Sequence, residues 1–241
     1  MKKHLIAEMS IDDFRNEIRE SQTAIFPVGA TEGYGLHLPL GSDWLVTYEV
    51  AKRSAKACDC LVVPPVTIGY SEDLMCYPGT LSLKTETIIQ VYRDVLASLN
   101  RQGITKTLFL CGHVGNIGAI DQVAMEAIQA GKMDVAIIDW WRFIYHINED
   151  LMASNFPQGH AAEVGTSVLM YLYPELVDKG KMIRHERKID DTALPDLYVY
   201  EYFDGTAPEA VLGDPFSGSE DKGKVMIERA VKEISSFIKK W

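Results

Sequence analysis

The sequence predicts an α/β protein of three layers, α/β/α, around a mostly parallel central sheet. Two observations predict it. Short apolar runs of strand length alternate with longer stretches of helical spacing along most of the chain, the pattern of a parallel sheet covered on both faces. Clusters of polar residues follow the apolar runs, and the carboxyl ends of strands are where an open parallel sheet gathers a ligand.

The elements follow in order. TAIFPVG (23–29) is a short buried strand that ends in glycine, and DWLVTYEVAKRSAKA (43–57) has helical spacing. CLVVPPVTIG (60–69) is rich in strand formers, but Pro64 and Pro65 restrict it to a sheet edge or a strand end. KTETIIQVYRDVLASLNRQG (84–103) is an amphipathic helix closed by Gly103, followed by the strand KTLFLCG (106–112). GAIDQVAMEAIQAGK (118–132) is a helix and MDVAIIDW (133–140) a strand. HAAEVGTSVLMYLYP (160–174) reads as a helix stopped before Pro174, and GSEDKGKVMIERAVKEISSFIKKW (218–241) as a closing helix. The segment 176–217 is irregular, with three glycines and three prolines, and suits loops over a site or an oligomer contact.

A chain of 241 residues with 47% hydrophobic and 24% charged residues is expected to form one soluble domain, 1–241. Its net charge of −10 argues against nucleic acid or an anionic membrane as partner. No apolar run approaches the roughly 18 residues of a spanning helix. The N-terminal MKKHLIAEMSIDDF meets Glu8, Asp12 and Asp13 too early for a signal peptide. Cys58, Cys60, Cys76 and Cys111 lack a zinc spacing and read as reduced thiols in a cytoplasmic protein.

ATEGYGLHLPLGSD (30–43), CGHVGN (111–116), DWW (139–141) and GHAAE (159–163) carry the polar clusters. Together they supply Glu32, Asp43, His113 and Glu163, a mixed oxygen and nitrogen set that zinc, manganese or iron accepts. Each residue also has an ordinary duty to set against that. Asp43 or Ser42 could cap the following helix, His113 could be structural in a glycine-rich turn, and Glu163 could complement a helix dipole. Trp140 and Trp141 could pack a core or an interface. His4, His146 and His185 belong to no motif.

ATEGYGLHLPLGSD resembles the first signature of the creatininase family of metal-dependent amidohydrolases, and CGHVGN is similar to that family's Asn-Gly-His-Gly-Gly-Asn turn. GYSEDLMCYPGTLSL (69–83), GHAAEVGTS (159–167) and LGDPFSGSEDKGKVMIERAV (212–231) resemble its later segments, in family order. The resemblance implies a creatininase-like fold. It also implies Glu32, Asp43 and His113 as metal ligands, with Asp43 able to bridge two ions, and Glu163 as a further carboxylate ligand. It makes His160 the catalytic histidine that handles the leaving group's proton. It gives Trp140 or Trp141 a place over a substrate ring, and His37 a role in orienting Glu32 or the substrate. A homohexamer is implied as well.

The departures shape the functional expectation. Tyr34 stands where the family usually has a metal-binding histidine, Asp73 and Leu74 where it has Glu-His, and Gly165 where a glutamate is common. Creatinine is therefore not the expected substrate. The reading is a metal-dependent hydrolase of a small cyclic substrate, cleaving an amide C–N bond with one firmly held zinc or manganese ion. A second ion site would be weak, absent or completed by Tyr34, which otherwise donates a hydrogen bond to a substrate oxygen. Two alternatives stand beside it: hydrolysis of a ring C–C bond in a cyclic diketone from cyclitol breakdown, and a catalytically silent structural or binding member.

Overall fold

The structure is a computed structural model and describes residues 2–185 and 202–241, so part of the irregular stretch at 176–217 lies outside the described residues. Four parallel strands form the sheet: β1 (Thr23–Val28), β2 (Leu61–Val62), β3 (Lys106–Cys111) and β4 (Asp134–Asp139), in the order β2-β1-β3-β4. The helices are α1 (Ile11–Glu20), α2 (Ser42–Cys58), α3 (Thr85–Arg101), α4 (Ile117–Gln129), α5 (Trp140–His146), α6 (Glu163–Leu172) and α7 (Glu220–Lys240). None of the described helices is long and apolar enough to cross a membrane. All four cysteines are unpaired.

Alternating side chains on the strands feed two cores, as the pleat requires. Ile25, Leu108 and Leu110 join Val46 and Val50 of α2, Val168 of α6 and Ile227 and Ile234 of α7 on one face. Phe26, Phe109 and Ala24 join Tyr92 and Leu96 of α3 and Ile120 and Val123 of α4 on the other. The expected three layers result.

Three boundaries differ from the sequence expectation. The strand expected across 60–69 survives only as Leu61–Val62 at the sheet edge, because Pro64 and Pro65 have no N–H to continue a ladder. The Asp-Trp-Trp stretch does not end a strand throughout: Asp139 closes β4 and Trp140 opens α5. The helix expected from His160 starts at Glu163, after Ala161 takes a left-handed backbone with φ 52°. One helix goes beyond that expectation. α1 is set by a capping box in which the Ser10 hydroxyl accepts from Asp13 N and the Asp13 carboxylate accepts from Ser10 N.

Register places the site. β1 and β3 pair from Thr23 with Lys106 to Val28 with Cys111, and β3 and β4 from Lys106 with Asp134 to Cys111 with Asp139. The three strands thus end level. The segments holding Glu32, His113 and Trp141 leave one edge side by side.

Candidate metal and active site

α2 delivers Asp43 to that edge. Its first turn lies against the strand ends, close enough that a Cβ on Gly29 would sit 2.6 Å from Trp44 N and one on Gly112 2.6 Å from Asp43 O. Only glycine allows this approach. Neither Ser42 nor Asp43 is the helix cap, which is Gly41; Ser42 donates instead to Pro39 O. The Asp43 carboxylate therefore remains free to face the loop after β3.

There it meets His113. His113 Nδ1 lies 3.2 Å from Glu32 Oε2 and 3.4 Å from Asp43 Oδ2, and all three residues are buried. Among the described residues they are the group whose ligand atoms converge, all within 4.8 Å of one another. Outer contacts orient them. His113 Nε2 donates to the Tyr70 carbonyl at 2.5 Å, which fixes the tautomer and leaves Nδ1 aimed at the carboxylates. The Ser71 hydroxyl donates to Glu32 Oε2 at 2.6 Å, and Trp141 Nε1 donates to Asp43 Oδ1 at 2.9 Å.

The electrostatics of this cluster call for a cation. Burial and the Glu32 charge push the Asp43 carboxyl up to about 6. Glu32 is also buried, yet the charge and hydrogen bonds of His113, with His160 adding to them, hold it well below the usual carboxylate range. His113 would be discharged by burial, but its two carboxylate neighbours hold it protonated well above its ordinary range. One imidazole nitrogen and two carboxylates are a donor set that zinc or manganese takes, so the residues fit a divalent ion.

His160 reaches the same cavity from the opposite side. Its Nδ1 donates to the Ala210 carbonyl at 2.9 Å, which turns Nε2 toward Glu32 Oε1, 3.4 Å away. The left-handed residue Ala161 directs it there. Tyr34 is buried beside it, with ring centroids 4.1 Å apart, and burial together with the Asp43 and Glu32 charges keeps its hydroxyl protonated. The cavity has a volume of about 270 Å³. Apolar walls come from Leu74, Val164, Phe203 and Leu212, and Asp73 and Arg142 also line it.

Three expected site residues stand elsewhere. Glu163 does not join the ligand group. Its carboxylate is fully buried and accepts from Lys222 Nζ at 2.6 Å, from Ala153 N at 2.9 Å, and from Ser154 N and Oγ at 2.8 and 2.7 Å. In a continuous helix from His160, Glu163 would lie one turn on along the same face; the left-handed residue between them breaks that relation. His37 is buried outside the cavity, with Nε2 2.9 Å from Thr166 Oγ1, and braces the loop of Glu32 and Tyr34 against α6. Trp140 is wholly buried in the core, whereas Trp141 lines the cavity; both stand in the first turn of α5, where successive side chains point about 100° apart. Two contributors went unassigned. Ser71 was visible only as the serine of the GYSEDL segment, and the Tyr70 carbonyl has no side-chain signal.

A family model described as creatinine amidohydrolase matches residues 7–238. Creatinine amidohydrolase of Pseudomonas putida is 25% identical over 258 residues, with 99% of this chain and 97% of that protein covered. The 3-dehydro-scyllo-inosose hydrolase of Thermotoga maritima is 25% identical over 256 residues, with 96% and 81% covered. Among solved structures, a manganese form of creatininase and a zinc–zinc form of a creatininase variant each superpose with a TM-score of 0.83. They are 24% and 25% identical, and each pair covers 99% of this chain and 98% of the other.

Proposed function

The chain belongs to the creatininase family of metal-dependent hydrolases, and on that premise we propose that it hydrolyses a small cyclic substrate at an amide C–N bond. The convergence of Glu32, Asp43 and His113 at the floor of a cavity that His160 and Tyr34 also line carries this reading. Glu32, Asp43 and His113 would hold the ion, zinc or manganese. When bound, such an ion lowers the pKa of a water and polarises a carbonyl.

The chain's own residues supply the rest. Ser71, Tyr70 and Trp141 keep the three ligands in place. His160 offers Nε2 to the cavity as a base, because Nδ1–H is committed to the Ala210 carbonyl; Nε2 takes a proton from the attacking water and passes it to the departing nitrogen. Tyr34 keeps its proton and donates a hydrogen bond to a substrate oxygen. Trp141 gives the ring a flat wall. A volume of about 270 Å³ with apolar sides suits a small ring.

A second reading has specific support. Similarity to an inosose hydrolase matches that to creatinine amidohydrolase in identity, and the same groups suit attack on a ring ketone with cleavage of the neighbouring C–C bond. Incubating metal-loaded protein with cyclic amides and with cyclic 1,3-diketones separates the two. Turnover of amides alone supports the first, and turnover of diketones alone the second. Both cores line one sheet, which supports a single domain, 1–241. The unpaired cysteines support a cytoplasmic setting. A homohexamer rests on the family resemblance and is read by sedimentation.

A further inference from the structure

Away from the cavity, two thiols lie in contact. Cys58 is the last residue of α2, and Cys60 directly precedes β2. They stand at the far end of α2 from Asp43, about 22 Å along the helix axis at 1.5 Å per residue, and neither lines the cavity. Cys58 Sγ is 3.5 Å from Cys60 Sγ. Between them Asp59 takes a left-handed backbone, φ 58° and ψ 42°. Those angles mirror the helical pair, which sets Cα atoms two residues apart at about 5.4 Å. Disulfides span Cα separations of about 4.4–6.8 Å. From 3.5 Å the sulfurs need to close by about 1.5 Å to reach the bonded distance of roughly 2.0 Å.

The backbone at the pair is already tied in place. Asp59 N and Cys60 N both donate to the Ala55 carbonyl, and the Cys60 carbonyl accepts from His4 Nδ1 at 3.2 Å. The two thiols differ in access: Cys58 is half-buried, whereas Cys60 is buried. A hydrogen bond from Cys60 lowers the Cys58 thiol below its ordinary range, while the same contact and burial push Cys60 up. Cys58 is therefore the attacking sulfur and Cys60 the resolving one. Cys111 is buried and spends its thiol on the His113 carbonyl at 3.0 Å.

We propose that Cys58 and Cys60 form a reversible dithiol–disulfide site whose oxidant is a low-molecular-weight disulfide of the glutathione type. The Cys58 thiolate attacks one sulfur of that disulfide; its S–S bond breaks, and the first small thiolate leaves and takes up the proton Cys58 gave to solvent. Cys60 then loses its proton and attacks Cys58 Sγ in the mixed disulfide. The protein S–S bond forms, and the second small thiolate leaves and is protonated. Two electrons pass from the protein dithiol to the small disulfide, which becomes two thiols. The site is independent of the hydrolase reading.

Reduced, desalted full-length protein is incubated anaerobically with oxidised glutathione, quenched in acid and treated with a maleimide after denaturation. Peptide mass spectrometry with fragmentation then reads each cysteine. The expected result is loss of label from Cys58 and Cys60 together, a mass lower by two hydrogens and no glutathione on either, all reversed by dithiothreitol. In Cys60→Ser, with its fold checked by circular dichroism, glutathione should remain attached to Cys58. A stable glutathione adduct on Cys58 of the wild type would overturn the proposal. So would full labelling of both cysteines while exposed Cys76 reacts, or a disulfide joining either of them to Cys76.

Discussion

Glu163→Gln separates a ligand from a structural carboxylate. Glu163 is fully buried, and four donors on two sides hold it: Lys222 from α7, and Ala153 N, Ser154 N and Ser154 Oγ from the segment before α6. Glutamine keeps the shape but leaves Lys222, whose side chain is 24% exposed, without its counter-charge. Removing one partner of a buried pair costs about 3–5 kcal/mol; the partial exposure of Lys222 favours the lower end. For a chain of 241 residues the unfolding entropy is about 0.5 kcal/mol per kelvin, so the melting temperature should fall by about 6–10 °C. The hydrogen bonds to Lys222 and Ser154 outweigh burial and hold the Glu163 carboxyl below its ordinary range. A depressed carboxyl stabilises above its unfolded pKa, about 4.3 for a glutamate, and loses that contribution as the pH falls through its folded value. The gap between wild type and variant should accordingly narrow in acid. Calorimetry from pH 7 downward measures it, with elemental analysis alongside. Unchanged stability combined with loss of the ion would refute the structural role and return Glu163 to the ligand set.

The remaining predictions concern the site itself. His113→Ala should abolish ion binding, seen as metal content near background after desalting, with the fold retained by circular dichroism. His160→Ala should keep the ion and lower kcat by about 10²–10⁴-fold on whichever substrate turns over; unchanged turnover would assign His160 to structure. Ser71→Ala should weaken the ion by about 10–100-fold through loss of the contact to Glu32, measured by competition with a chelating dye. Tyr34→Phe should leave the metal content untouched and lower turnover; a fall in metal content would make Tyr34 a ligand.

Much of this was legible in the sequence, for reasons that can be named. The strands around Phe26 and Phe109 and the helices around Tyr92 and Ile227 follow a clear periodicity. Glycine-rich turns just past the strands announced that Glu32 and His113 would meet. What was not legible depends on backbone conformation or on long-range contact. Alanine carries no signal for a left-handed backbone, so nothing before His160 or after it showed that Glu163 would turn the other way. Two adjacent tryptophans after an apolar run read as strand. Either element would part the two side chains; which of them meets Asp43, a partner 98 residues distant from Trp141, is a long-range contact with no local signal.

The level strand ends also bear on how this protein could be re-engineered. Glu32 and His113 hang a few residues past β1 and β3, whose registers lock them to one another. Leu74, Phe203 and Leu212, which line the cavity, belong to connections outside the sheet. A library that varies these lining positions would reshape the cavity while the ion's cradle keeps its geometry, so new substrate ranges should be reachable by loop exchange without rebuilding the centre.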